Sequence, residues 1–227
     1  YELIPWLLGT CKTAAEAAEQ MQRIPLLGVP FGPNMPLAPL HWHIADRQGA
    51  FVAEPMTDGV KVYPDPVGVL TNNPPFPFHR TNLTQYRGLS AAQPENTLDP
   101  ALELPPFGQG MGAIGLPGDW SPASRYVRTA FCKRNCVCEN SEESSVSQFF
   151  HLLDTVAMPR GAVRTPEGNC DITRYSCCIN TATGTYYYKT YDNCAITAVA
   201  LTEERRAGDR LLEFPLDTKL RITFQEG

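Results

Sequence analysis

The densest run of chemically unusual residues is 108–119, Gly-Gln-Gly-Met-Gly-Ala-Ile-Gly-Leu-Pro-Gly-Asp. Its GxGxG spacing resembles a phosphate-cradling loop, but no Lys-Ser/Thr follows, no apolar strand precedes it, and Pro105-Pro106 sits just upstream. A dinucleotide role is therefore set aside. The glycines supply positive φ angles and close backbone approach instead. Such a loop can hold Arg125, on the first turn of the following helix, at a fixed point; the plainer local reading pairs Arg125 with Asp119 at that helix start. A second run, 71–76, Thr-Asn-Asn-Pro-Pro-Phe, closes a predicted strand. Asn72 there is either turn chemistry, its side chain capping local backbone, or an amide donor aimed at developing negative charge. His41 and His43 flank Trp42 and share one strand face, a metal-ligand pattern in principle, although a lone pair without nearby carboxylates reads more simply as structural.

The eight cysteines, at 11, 132, 136, 138, 170, 177, 178 and 194, form no CxxC pair at finger spacing. They read as reduced structural thiols, in keeping with a cytoplasmic location. No metal site and no cofactor are expected.

The chain as a whole bounds what these residues can serve. Its 227 residues, 43% hydrophobic and 19% charged, can bury a sizeable core as one domain. Nineteen basic against 24 acidic side chains, net −5, exclude a general affinity for nucleic acid. The apolar stretch 3–8 is interrupted by Pro5 and stops at Gly9, so no membrane span is expected. Proline reaches 21 residues, nearly twice its average share of about 5%. Pro25, Pro30, Pro33, Pro36 and Pro39 interleave with Val29, Phe31, Met35 and Leu37. That stretch can be neither helix nor central strand, because proline lacks the amide donor both need. It is a stiff apolar loop, either covering a core or walling an apolar pocket.

The elements that must position these residues follow from period and punctuation. Thr13 and Glu16 read as a capping box for a helix over 17–23 that ends at Pro25. Strands are predicted over 40–45, 50–55, 60–63 and 67–71, with turns at 46–49 and 57–59, as an antiparallel meander. A helix is expected within 78–89, then a proline-rich surface loop over 94–106. Ser121-Pro122 opens a helix running through 124–133, and 144–156 forms another. Strands return over 172–179, 185–191, 196–201 and 219–224. The order implies an α+β fold with antiparallel sheets covered by helices.

Six motifs, in order along the chain, resemble the choloylglycine hydrolases, the family of the bile salt hydrolases and penicillin V acylases. They are Leu-His-Trp at 40–42, Gly-Val-Leu-Thr-Asn-Asn-Pro at 68–74, Gly-Leu-Pro-Gly-Asp at 115–119, Ala-Ser-Arg at 123–125, Phe-Phe-His at 149–151 and Tyr-Tyr-Tyr-Lys-Thr-Tyr-Asp-Asn at 186–193. The resemblance implies the N-terminal-nucleophile hydrolase fold, an αββα sandwich of two antiparallel sheets, here incomplete at the N-terminus. It implies cleavage of the amide bond of glycine- or taurine-conjugated bile salts, with penicillin V as the alternative substrate and a homotetramer as the assembly. It carries Asn72 onto an oxyanion-hole donor and Arg125 onto a cation beside the nucleophile. The loop with Phe31, Met35 and Leu37 becomes the substrate-pocket wall.

The family's nucleophile is an N-terminal cysteine whose own α-amine, titrating near pH 7.7–8.0, moves the proton. This sequence begins with Tyr1, and Cys11 follows ten residues, so it has no free α-amine. The expectation is one domain over 1–227 lacking the family's N-terminal third, inactive alone. A fragment that only binds an apolar acyl or steroid group is the non-enzymatic alternative.

Overall fold

The computed structural model describes residues 2–30, 32–35 and 37–225. Phe31, assigned above to a pocket wall, lies outside them. The chain divides into two compact units, Tyr1–Phe131 and Cys132–Gly227.

In the first unit, α1 (Leu3–Thr10) accommodates Pro5 in its first turn, where an amide has no helical partner to lose. Helix α2 (Ala14–Arg23) starts on the capping residues the sequence marks: Thr13 Oγ1 accepts from the Glu16 amide at 3.2 Å, and Glu16 Oε2 accepts from the Lys12 amide at 2.7 Å. Three antiparallel strands follow, β1 (Trp42–Ala45), β2 (Ala50–Met56) and β3 (Gly59–Pro64), in the order β1-β2-β3. The first turn is tied by Asp46, whose Oδ1 accepts from the amides of Gln48 and Gly49 while Oδ2 accepts from the Ala14 amide at α2.

Period-2 alternation gives this sheet two apolar faces. Trp42, Ala53 and Val62 stand opposite one another across the strands and pack with Leu7, Ala17 and Met21 of α1 and α2. On the other face Val52 and Tyr63 pack with Val69, with Phe76 of α3 (Phe76–Leu83), and with Tyr126 and Ala130 of α4 (Pro122–Asn135). The unit is a sheet between helices.

In this unit one predicted strand is absent. Residues 67–71 do not extend the meander, because the amides of Val67, Gly68 and Val69 all donate to the Asp65 carboxylate, at 3.0, 2.9 and 2.9 Å. Donors spent on a side chain cannot build a ladder, and Gly68 at φ +67° turns the chain out of the extended region.

The second unit holds α5 (Glu142–Asp154), a two-stranded ribbon of β4 (Val163–Arg164) and β5 (Cys170–Asp171), the antiparallel sheet β6 (Tyr175–Asn180), β7 (Thr185–Thr190) and β8 (Thr197–Ala200), and the short α6 (Glu203–Ala207). Glu142 at the start of α5 ties that helix to the β6–β7 hairpin: its Oε1 accepts from Asn180 Nδ2, Thr183 Oγ1 and Tyr187 Oη. At the other end of α5, Lys189 bonds Asp154 and lies 5.5 Å above the buried Phe150 ring. The strand expected over 219–224 does not form. Leu220, Ile222 and Phe224 are exposed there, and without a neighbouring strand the apolar alternation has nothing to pair with. All eight cysteines are free. Among the described residues no helix is long and apolar enough to cross a membrane.

The glycine run is held by close approach. A Cβ on Gly112 would lie 2.0 Å from the Ala92 carbonyl oxygen and 2.5 Å from that of Ser90, and the Ser90 amide donates to the Gly112 carbonyl at 2.9 Å. Both obstacles are backbone, with no flexible side chain to yield. Gly112→Ala is therefore expected to lower unfolding free energy by at least about 2 kcal/mol, read from urea unfolding followed by circular dichroism.

Candidate active site

Asn72 is placed by the segment between β3 and α3, and two buried carboxylates shape that segment. Besides the three amides, the Asp65 carboxylate accepts from His43 Nε2 at 3.1 Å. Burial pushes this carboxyl up, but the His43 bond and the amides of Gly68 and Val67 together outweigh it, so its pKa lies below the usual 3.8. Glu54, on β2, accepts the Phe76 amide on both oxygens, at 3.1 and 3.0 Å, and so caps α3. His41 Nδ1 lies 3.6 Å from the same carboxylate. The two histidines singled out by spacing thus each face a buried carboxylate from another part of the unit. Among the described residues no group of three or more His, Cys, Asp or Glu is arranged to hold an ion.

Arg125 is placed by the start of α4. Ser121 Oγ accepts from the Ser124 amide at 3.3 Å as the helix cap. Asp119 accepts from the Ser121 amide at 2.9 Å and from the Ser124 hydroxyl at 2.5 Å. The hydroxyls of Ser121 and Ser124, with the Ser121 amide, hold its carboxyl down at about 2. One turn further, the buried Arg128 draws the glycine loop onto the helix, Nη1 donating to the carbonyls of Pro117 at 2.6 Å and Asp119 at 3.0 Å.

The two residues named from sequence, 53 positions apart, meet. Arg125 Nη2 donates to Asn72 Oδ1 at 2.6 Å, and Arg125 Nε donates to the Trp120 carbonyl at 3.0 Å. Arg125 thus reaches Asn72, while the Asp119 carboxylate that its helix position suggested as partner is taken up by Ser121 and Ser124. A guanidinium only donates, so the amide atom facing it must be oxygen. That fixes the flip of the Asn72 side chain and turns its Nδ2 hydrogens away from the guanidinium. Asn72 is exposed and Arg125 half-buried. A charge-assisted bond to Oδ1 also polarises the amide toward stronger donation at Nδ2. The pair can meet a carbonyl oxygen that is becoming negative.

Met35 and Leu37 sit exposed on the proline-rich loop, at 56% and 60%. An open cavity of about 520 Å³ in this unit is lined elsewhere, by Gly49, Ala50, Phe51, Pro64, Asp65, Pro66 and Arg80. Sequence reasoning missed Asp65, Glu54 and His79. Asp65 between Pro64 and Pro66 carried a turn signal; the other two carried none.

The arrangement has relatives. The model of the linear amide C-N hydrolases, choloylglycine hydrolase family, matches residues 1–213. The chain belongs to the choloylglycine hydrolase family. It is 43% identical over 216 residues to a bile salt hydrolase/transferase of Lactiplantibacillus plantarum, covering 95% of this chain and 67% of that one. A crystal structure of a mutant conjugated bile acid hydrolase from Clostridium perfringens, 36% identical, matches with a TM-score of 0.89 over 99% of this chain and 68% of that one. A penicillin V acylase from Agrobacterium tumefaciens, 17% identical, shares the fold at a TM-score of 0.66, over 90% of this chain and 56% of that one.

In this choloylglycine hydrolase chain the Asp65 carboxylate has an acid-side signature. Its folded pKa is depressed, so the stability it contributes is full above the ordinary value of 3.8 and is lost as pH falls through the lower folded value. Asp65→Asn is expected to remove about 1–3 kcal/mol at pH 7 and to flatten the loss of stability below about pH 4. Urea unfolding from pH 7 down to pH 3 checks both.

Proposed function

We propose that this chain forms the amide-polarising side of a hydrolase for the C–N bond of glycine- or taurine-conjugated bile salts. The observation that carries the reading is the Arg125–Asn72 bond, which presents an oriented amide donor beside a cation. Family membership supports the reaction class. The names of the relatives support the substrate, and the likeness to bile acid hydrolase structures supports the αββα sandwich as the arrangement of sheets and helices.

In this mechanism a cysteine thiolate attacks the amide carbonyl carbon. The carbonyl π electrons move onto oxygen, and Asn72 Nδ2 donates to that oxyanion as it forms. Preorganised donors at such a position stabilise the transition state more than the ground state. Collapse of the oxyanion breaks the C–N bond, the departing amine takes a proton from the α-ammonium of the cysteine, and water then releases the acyl group from the thioester. Arg125 raises the local positive potential, which favours thiolate over thiol, and keeps the amide of Asn72 in one flip. The mechanism requires a cysteine that carries its own free α-amine, and a 227-residue polypeptide in which no cysteine stands first is expected not to turn over by itself.

Two measurements test this. The purified chain and the product of the complete reading frame are assayed for glycine and taurine release from glycocholate and taurocholate, with penicillin V in parallel. Release from the bile salts by the complete product alone is expected. Turnover by the 227-residue chain overturns the expectation that it is inactive alone, and a preference for penicillin V overturns the bile-salt assignment. In the complete product, Asn72→Ala is expected to lower kcat by about 10²–10³, the range for removing one oxyanion donor, with KM little changed.

A further inference from the structure

We propose that His79 is a positioning residue for Asn72, holding the main chain of the oxyanion donor while Arg125 holds its side chain. The proposal rests on the role given to Asn72 above and adds a residue to it. His79 is buried in the first unit, 1% exposed, and its Nε2 lies 2.8 Å from the Asn72 carbonyl oxygen. A carbonyl only accepts, so the hydrogen in this bond sits on Nε2. The opposite ring nitrogen, Nδ1, is buried and has no hydrogen-bond partner among the described residues.

This pattern distinguishes a positioning role from simple core filling. Burying an imidazole with one unpaired nitrogen is unfavourable relative to a hydrocarbon ring of similar size. The site is aromatic on several sides. His79 stacks on Tyr126 with centroids 5.0 Å apart and planes 20° apart, Phe78 meets it edge-on at 5.6 Å, and Phe76 meets Tyr126 edge-on at 6.4 Å. Phenylalanine suits such packing and lacks only the Nε2 donor. The bond to Asn72 is what the imidazole adds.

The geometry also connects the two restraints on Asn72. Tyr126 follows Arg125 in α4, and His79 lies on α3, so the stacked pair fixes the helix carrying the main-chain donor against the helix carrying the side-chain donor. Asn72 then has both of its carbonyls accepting, one from each helix. Its Nδ2 hydrogens take no acceptor among the described residues. Releasing the main-chain bond lets the peptide after Asn72 rotate and moves the side chain with it. A misplacement of about 1 Å at such a group can cost about 10²-fold in rate.

The test compares His79→Phe with His79→Gln, whose amide can donate where Nε2 does. In the complete reading-frame product, His79→Phe is expected to lower kcat on bile salts about 10- to 100-fold with KM within about twofold, and His79→Gln to recover most of it. Asn72→Ala added to His79→Phe should cost less than it does alone, because the two act through one group. Equal kcat per folded molecule in His79→Phe and the parent overturns the proposal, as does full additivity.

A readout independent of turnover uses the chain itself, labelled with 15N at asparagine. The Asn72 side-chain amide pair, identified by its loss in Asn72→Asp, is expected to move in His79→Phe and to return in His79→Gln; an unmoved pair overturns the proposal. If His79→Phe does not fold, 15N-labelled histidine in the unmutated chain decides: a proton on Nε2 with Nδ1 bare supports it, and the opposite tautomer overturns it. Absence of bile-salt hydrolysis in the unmutated complete product would sink the functional reading while leaving these spectra to judge His79.

Discussion

The buried carboxylate of Asp65 is the interaction on which the placement of Asn72 depends. At the end of β3 the amides of Val67, Gly68 and Val69 converge on one carboxylate at the edge of the core. Asp65 accepts all three and a fourth bond from His43. A buried carboxylate is tolerable only when its oxygens are fully engaged. Here they are engaged by the segment that must turn. The same bonds that satisfy the charge stop the strand and direct residues 69–72 back across the sheet, where the buried Val69 joins the core and Asn72 emerges exposed.

Glu54 does for α3 what Asp65 does for the turn. Its carboxylate, 6% exposed, accepts the first amide of the helix on both oxygens, so α3 starts at a point set by β2 rather than by its own sequence. This matters because α3 has no side-chain cap of its own and follows two prolines. Helix α4 behaves in the opposite way. Its start is local, built from Asp119, Ser121 and Ser124, and the glycine loop before it is drawn in by Arg128 and by the close approach of Gly112 to residues 90–92. A helix start determined at long range and one determined locally thus bring Asn72 and Arg125 to bonding distance.

Legibility in the sequence follows this division. The capping residues of α2 and α4, the turns at 46–49 and 57–59, and the alternation of β1, β2 and β3 are all local chemistry, and the structure has them within a residue or two. The reading of 67–71 as a strand failed because Val67, Val69 and Leu70 carry strand propensity, while the acceptor that takes their amides is a side chain whose burial no local pattern announces. The reading of 219–224 failed for a related reason: alternation there is real, but a strand exists only with a neighbour. His41 and His43 were visible as a pair, and their carboxylate partners were not.

By itself the sequence determined the α+β class, the capped helices, the family, and the identity of Asn72 and Arg125 as the residues to watch. The class and the capped helices are carried by residue type and short spacing, the family and its two residues by the resemblance of six motifs. Tertiary structure alone decided that these two residues, 53 positions apart, share a bond, which flip the asparagine amide takes, and that His79 reaches its main chain. The physical reason is that a hydrogen bond is specific to ångströms and angles. Separation along the chain says nothing about either until buried carboxylates and packed rings have brought the elements together.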